Sequence, residues 1–297
     1  KFRRYFDLKN FTDPARVIKG FAQSKKILRQ LRPDVIFSKG GFVSVPVVYA
    51  AATCKIPVVS HESDMTPGLA NKLCAPFVKC ECCTFAEAAR LAGKKGVYTG
   101  SPIRPEILQG DRERGLKRFG FEENRPVLMV VGGSTGAQAI NNLVRSALEA
   151  LTETFQVLHL CGKGNLVSSL VGTERYYQCE YLDEEMADAY ACSDIVISRA
   201  GSNTLCELLA LCKTSLLIPY PKAASRGDQI LNAESFQRQG FARVLMQEDA
   251  TPELLLQEVS YLYHDRGQLY ENMKHAPASQ GLENVLKEIY RYAGTAE

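Results

Sequence analysis

The stretch Val127-Leu128-Met129-Val130-Val131-Gly132-Gly133-Ser134-Thr135-Gly136 decides the fold. Its five apolar residues make a strand buried on both faces. They run straight into a glycine turn, and residues 137–153 follow as a helix. A buried strand that turns directly into a helix is the repeating unit of a parallel α/β sheet. The unit returns where the strand 194–198 passes through Arg199-Ala200-Gly201 into a helix over 202–212. Working outward, strands fit at 156–161, 177–181, 215–219 and 242–245, and helices at 185–192, 228–239, 252–263 and 281–293.

Toward the other end the alternation is repeated. Helices over 14–31, 45–54, 66–75 and 85–93 interleave with strands at 35–37, 56–60, 78–84 and 96–99. A proline-containing, strongly charged stretch, 104–126, separates the two series. The expectation is an α/β protein of two Rossmann-like domains facing across a cleft. The first covers residues 1–103, the second 104–279, and a helical segment, 280–297, follows.

Composition agrees with a folded chain of this kind. Of 297 residues, 45% are hydrophobic and 23% charged, which excludes disordered and collagen-like classes. No apolar run reaches the roughly 18 residues of a spanning helix. The ten cysteines are scattered through apolar stretches, so they read as reduced core thiols rather than a disulfide framework. Net charge is only +3, but residues 1–32 hold ten Lys or Arg against Asp7 and Asp13, with Phe2, Tyr5, Phe6 and Phe11 interleaved. Such a segment suits a membrane surface or a nucleic acid, and equally a solvated helix face.

Chemistry-bearing residues gather where strands end. Gly133, Ser134 and Gly136 open a helix, so backbone N–H groups and the helix dipole would meet an anion there. The pattern is neither G-x-G-x-x-G nor a P-loop, which argues against dehydrogenases and NTPases. In Ser198-Arg199-Ala200-Gly201-Ser202-Asn203-Thr204-Leu205-Cys206-Glu207 the arrangement recurs. Ser202 is placed to cap the helix, and Glu207 is a carboxylate that could accept both hydroxyls of a ribose or sit in an ordinary ion pair. Asp228 and Gln229 follow the next strand and suit sugar hydroxyls. In the first half, Ser38-Lys39-Gly40-Gly41-Phe42-Val43-Ser44 and His61-Glu62-Ser63-Asp64 are expected just past strand ends. His61 beside Glu62 could supply acid–base chemistry or be structural. Cys80-Glu81-Cys82-Cys83 lacks a second Cys or His pair at zinc spacing, so no metal is expected.

Taken in order, S-K-G-G-F-V-S, H-E-S-D-x-x-P-G-L-A-N-K, Y-T-G-S-P-I-R, G-G-S-T-G-A-x-x-I-N, S-R-A-G-S-N-T-L-C-E and D-Q-I-L-N-A resemble the MurG family of peptidoglycan N-acetylglucosaminyltransferases. The resemblance runs over essentially the whole chain. It implies a GT-B fold and an inverting, metal-independent, cofactor-free transfer of GlcNAc from UDP-GlcNAc to the muramyl O4 of undecaprenyl-diphospho-MurNAc-pentapeptide, converting lipid I to lipid II. It implies a peripheral enzyme on the cytoplasmic face of the bacterial plasma membrane, docked by the basic-aromatic segment, with no nucleic-acid partner.

Residue by residue, the resemblance assigns Arg104 and Ser134 to donor contact, Ser134 at the phosphates, with Gly133 and Gly136 shaping its loop. Leu182 and Met186 would lie by the uracil, Glu207 on the ribose, and Asp228 with Gln229 on the GlcNAc hydroxyls. Arg199, Gly201 and Ser202 would shape the second phosphate turn. Gly40, Gly41, Ser44, His61, Glu62 and Asp64 fall on the acceptor side, where Asp64 departs from the H-E-x-N of many members. The helix 281–293 would cross back onto the first domain. The catalytic base is unassigned, with His61 and Glu62 as candidates. Family members begin with a strand and a G-G-T-x-G-H loop whose histidine is implicated in acceptor activation. Nothing before Lys1 corresponds to it, so about two βα units of ~30 residues each are expected to be missing from the first domain. A diacylglycerol glycosyltransferase, a UDP-GlcNAc 2-epimerase and a non-catalytic nucleotide-sugar-binding fragment are the alternatives.

Overall fold

The computed structural model describes residues 13–132, 137–222 and 227–294, with side chains from residue 17 onward. The chain forms two compact units, one comprising residues up to Pro102 together with those from Gln280, the other Ile103–Ser279.

The first unit begins with α1 (Asp13–Leu31), then alternates β1 (Ile36–Ser38), α2 (Ser44–Thr53), β2 (Val58–Glu62), α3 (Leu69–Cys74), β3 (Cys80–Cys83), α4 (Ala86–Leu91) and β4 (Gly96–Tyr98). All pairings are parallel, in the order β1-β2-β3-β4. Period-2 alternation divides the strands between two cores. Val58 faces a cluster built with Leu28, Val48, Ala50, Ala51, Cys74 and Val78. Val59, Cys80 and Cys82 pack on the other side against Val285, Ile289 and Tyr292 of the last helix, Gly281–Ala293. That helix is seated closely: a Cβ on Gly281 would lie 2.3 Å from the Ser101 carbonyl oxygen, and Asn284 donates to the Thr99 carbonyl at 3.0 Å.

One boundary corrects the sequence reading. The strand predicted over 56–60 instead spans Val58–Glu62, so His61 and Glu62 lie inside it and not beyond its end. The reason is local. Lys55 has a positive φ of 58°, and Ile56 N–H is held by the Ala51 carbonyl at 3.0 Å, so these residues complete the turn out of α2.

The second unit runs α5 (Arg112–Phe119), β5 (Val127–Val131), α6 (Gln138–Ser146), α7 (Leu148–Thr154), β6 (Gln156–Leu160), β7 (Tyr176–Cys179), α8 (Met186–Cys192), β8 (Ile195–Ser198), α9 (Ser202–Ala210), β9 (Ser215–Leu217), α10 (Asp228–Arg238), β10 (Ala242–Val244) and α11 (Pro252–Lys274). Its six strands are parallel in the order β10-β9-β8-β5-β6-β7. From β5 the chain first winds toward β7, then crosses back to β8 and winds the other way. The order therefore reverses between β5 and β8, and a ligand crevice opens at such a point, outside the carboxyl ends of the strands.

Three helices depart from the reading. Residues 137–153 form two helices that break at Ala147 (φ −100°, ψ 5°), where no glycine or proline marks the break. The helix predicted over 252–263 continues to Lys274, because Leu269 and Met273 keep its apolar face buried. The charged stretch hides α5. Asp111 caps it by accepting from Arg114 N–H at 2.7 Å, and Gly120 ends it at φ +70°. Gly110 and Gly115 let it approach α8, since Cβ atoms there would meet the Ala187 and Asp188 carbonyl oxygens at 2.0 and 2.5 Å. Arg114 then forks onto Asp188 at 2.5 and 2.6 Å.

Candidate functional site

The strand reversal of the second unit lies between β5 and β8, each of which leads on to a helix. Gly133, Ser134 and Gly136, on the turn after β5, lie outside the described residues. The matching turn after β8 is described. Gly201 (φ −71°, ψ 136°) occupies the cap position of α9 and Ser202 is the first residue inside the helix, with no side-chain cap. The expectation that Ser202 caps the helix is therefore corrected: the cap position falls on a residue without a side chain.

Arg199 is 5% exposed, and its guanidinium is committed to the protein. It donates to the Ile218 and Pro219 carbonyls at 2.9 and 3.1 Å and to Gln247 Oε1 at 2.7 Å, while lying 4.0 Å above the Tyr220 ring. It ties the ends of β8 and β9 together, which is how it shapes the turn. Asn232, 2% exposed, donates to the Ala200 carbonyl at 3.1 Å and steadies the same turn from α10. Gln229 accepts from Tyr220 N–H at 3.2 Å, and Asp228 is the first residue of α10.

A second group assembles beside it from α8, α9 and the segment before α5. Glu207 lies one and a half turns into α9, half-buried, and accepts from Tyr190 Oη at 3.2 Å. Tyr190 is 1% exposed on α8, and this is the one hydrogen bond of its hydroxyl among the described residues. Burial raises the Glu207 carboxyl above the usual carboxylate range, opposed by the Tyr190 hydrogen bond and the nearby Arg104 charge. Burial and Glu207 push the Tyr190 phenol up as well. Arg104 is exposed, 3.7 Å from Asp183. Leu182 and Met186, the latter opening α8, are half-buried. The fold thus brings Arg104 into the electrostatic neighbourhood of Glu207 and the Tyr190 hydroxyl of α8 into hydrogen-bond contact with it.

In the first unit, Gly40 and Gly41 both take positive φ, 81° and 84°, and Ser44 Oγ donates to the Gly41 carbonyl at 2.7 Å. A Cβ on Gly40 would lie 2.7 Å from Asn71 Oδ1, so glycine is required for conformation and for space. Glu62, 4% exposed, is saturated: Oε1 accepts from Asp64 N–H at 3.0 Å, and Oε2 from Gly68 N–H at 3.0 Å and Asn71 Nδ2 at 2.7 Å. It holds the loop 63–68 in shape.

His61 is fully buried, with Nε2 3.1 Å from the Gly100 carbonyl. A carbonyl only accepts, so the proton is on Nε2, and Nδ1 accepts from Lys39 Nζ at 3.1 Å. Burial, then the Lys39 charge, lower its pKa to about 4. Neither candidate base is presented as a free one. Lys39 also reaches Ser101 Oγ at 3.2 Å, so it joins three of the sequence motifs.

Residue types did not single out Lys39, Asn71, Tyr190 or Asn232 as site residues. Lys39, Asn71 and Asn232 lie within quoted motifs, whereas Tyr190 has the spacing of an ordinary core aromatic. Among the described residues no three His, Cys, Asp or Glu side chains gather to hold a metal ion.

Comparison with known proteins identifies the family. Residues 127–289 match the glycosyltransferase family 28 C-terminal domain, and residues 1–82 the glycosyltransferase family 28 N-terminal domain. A Clostridium tetani protein named "UDP-N-acetylglucosamine--N-acetylmuramyl-(pentapeptide) pyrophosphoryl-undecaprenol N-acetylglucosamine transferase" is 49% identical over 98% of this chain and 82% of its own length. A Clostridium perfringens protein of the same name is 51% identical over 99% of this chain and 82% of its own. Among solved structures, Acinetobacter baumannii MurG superposes with a TM-score of 0.70 at 24% identity, covering 94% of this chain and 79% of that one. A UDP-N-acetylglucosamine 2-epimerase from Listeria monocytogenes gives 0.64 at 13% identity, over 95% and 80%. Both likenesses are of fold. With both of its domain models matched and near-full-length relatives at about half identity, the chain belongs to glycosyltransferase family 28.

Proposed function

We propose that this chain is the UDP-GlcNAc-dependent transferase that glycosylates the muramyl O4 of lipid-linked N-acetylmuramyl-pentapeptide. The carrying observation is 49% identity over 98% of the chain to proteins bearing that name, with Glu207 set beside the strand reversal of the second unit. In the reaction, the O4 hydroxyl attacks the anomeric carbon and gives its proton to a general base, the bond from that carbon to the diphosphate oxygen breaks, and UDP leaves with the electron pair. Configuration inverts.

The nine-residue helix α9 begins at the Gly201 turn, so its first N–H groups and dipole face the position where the leaving diphosphate gains charge. Glu207 takes the ribose hydroxyls. Arg104, Leu182 and Met186 flank the nucleoside, Ser134 the phosphates, and Gln229 with Asp228 the GlcNAc hydroxyls. Arg199 shapes the second phosphate turn. On the acceptor side, Gly40, Gly41, Ser44 and Asp64 line the loops, while Glu62 and His61 hold them in shape. No resident metal or cofactor takes part.

The enzyme works as a peripheral protein on the cytoplasmic face of the plasma membrane. Among the described residues no helix is long and apolar enough to cross a membrane. The +8 of residues 1–32 supplies electrostatic attraction to anionic lipid, with Ile18, Ile27 and Leu31 exposed along α1. Changing Arg3, Arg4 and Lys9 to Glu should sharply weaken sedimentation with anionic vesicles, and undiminished binding would remove this segment from the docking surface.

The test of function is incubation with labelled UDP-GlcNAc and a soluble lipid I analogue. Disaccharide-linked label is expected. Formation of UDP-ManNAc without acceptor would indicate an epimerase instead, and transfer to diacylglycerol the lipid-glycosylating alternative.

A further inference from the structure

Tyr190 is a polar group with one task. It is 1% exposed, it sits on a helix other than the one that carries Glu207, and its hydroxyl makes a single hydrogen bond, 3.2 Å to Glu207 Oε2. The other carboxylate oxygen of Glu207 takes no hydrogen bond among the described residues. A phenol donating to a buried carboxylate fixes its rotamer and favours its ionised form, the form that accepts from two neighbouring hydroxyls. A buried hydroxyl with no such partner would be a net cost to folding.

We propose that Tyr190 is a positioning residue for nucleoside recognition: by holding one oxygen of Glu207 it aims the other at the sugar and sets the preference for ribose over 2′-deoxyribose. The proposal rests on the ribose reading of Glu207 given above. A site built to bond a hydroxyl rejects the analogue that lacks it, because its own polar group is then left unpaired. Without the Tyr190 hydroxyl, Glu207 can turn or take up a proton, and either change weakens its contacts with the ribose hydroxyls, the 2′-hydroxyl among them.

The test is calorimetric binding of UDP and of 2′-deoxy-UDP to the wild-type chain, Tyr190→Phe and Glu207→Ala, each across pH 5 to 8. Phenylalanine fills the same volume, and a ratio of two affinities does not depend on the fraction of folded protein. The wild type should prefer UDP at least about tenfold, Glu207→Ala should bind the two alike, and Tyr190→Phe should fall to about two- to threefold. The acid-side loss of UDP affinity should begin at higher pH in Tyr190→Phe, because the hydrogen bond that keeps Glu207 ionised is gone. A Tyr190→Phe variant with the full preference and an unmoved pH dependence overturns the proposal and leaves Glu207 on the ribose. A full preference in Glu207→Ala overturns the ribose reading itself.

Discussion

In the first unit Glu62 is 4% exposed and spends both oxygens on Asp64, Gly68 and Asn71 of its own loop. In the second, Glu207 is half-buried and spends one oxygen on Tyr190. Glu62 ends a strand and Glu207 lies in the helix after another, both in parallel α/β sheets, and their residue type gives no reason to rank one above the other. The difference lies in what has already been satisfied. A carboxylate whose lone pairs are taken by its own backbone is part of the scaffold. One that is held on one side and open on the other is equipped for a ligand.

The strongest way to break this comparison is to remove each carboxylate. Glu62→Ala leaves the buried Asn71 amide and the half-buried Asp64 N–H without an acceptor, and should lower unfolding stability by about 2–4 kcal/mol in a denaturant titration. A loss below about 1 kcal/mol would return Glu62 to the candidate ligands.

Acid sharpens the comparison next, because each unit hides one neutral histidine. His61 is lowered to about 4 and His159, bonded to Tyr176 and Asn141 at 2.9 and 3.0 Å, to about 3, both mainly by burial. Both native values lie below the unfolded 6.5, so between pH 6.5 and about 4 the unfolded chain binds more protons. Stability therefore falls as pH falls, by about 1.4 kcal/mol per pH unit for each histidine. His159→Gln should flatten that slope by one histidine's share, and an unchanged slope in melts from pH 6.5 to 4.5 would contradict its burial as a neutral ring.

The glycines differ in the same sense. Gly40→Ala forces a side chain into φ +81° against Asn71 and should cost about 2 kcal/mol in melting. Gly201 has ordinary φ and nothing within 4 Å of an added Cβ, so Gly201→Ala should leave melting unchanged and alter only donor affinity. The smallest effect belongs to the exposed Arg104–Asp183 pair, where Asp183→Asn should change stability by less than about 0.5 kcal/mol.

The parallel sheets were legible because apolar runs such as Val127–Val131 satisfy no other element, and every strand of both series appears within a few residues of its expected place. Misplaced boundaries have physical causes that composition does not carry. The turn at Lys55 delays β2 by two residues, and burial of Leu269 extends α11 past a polar run. Helix α5 was legible in principle through Asp111 and Gly120, but its charge obscured it.

At the site, motif order identified segments, while the division of labour within them was hidden. Arg199, expected to shape a phosphate turn, does so by bonding the Ile218 and Pro219 carbonyls and Gln247. His61, open in sequence between a base and a structural residue, is neutral, with its lone pair facing Lys39. Tyr190 reads as core and holds the key carboxylate. Hydrogen-bond commitment is a three-dimensional property, so it had to be seen.

Glu207 as ligand group and Glu62 as scaffold are separated by one calorimetric titration of UDP into Glu207→Ala, read beside its melting curve. UDP affinity should weaken by about 1.5–3 kcal/mol, while stability falls by no more than the roughly 1–3 kcal/mol that leaving the buried Tyr190 hydroxyl unpaired costs. Wild-type UDP affinity in that variant would contradict the ligand role of Glu207.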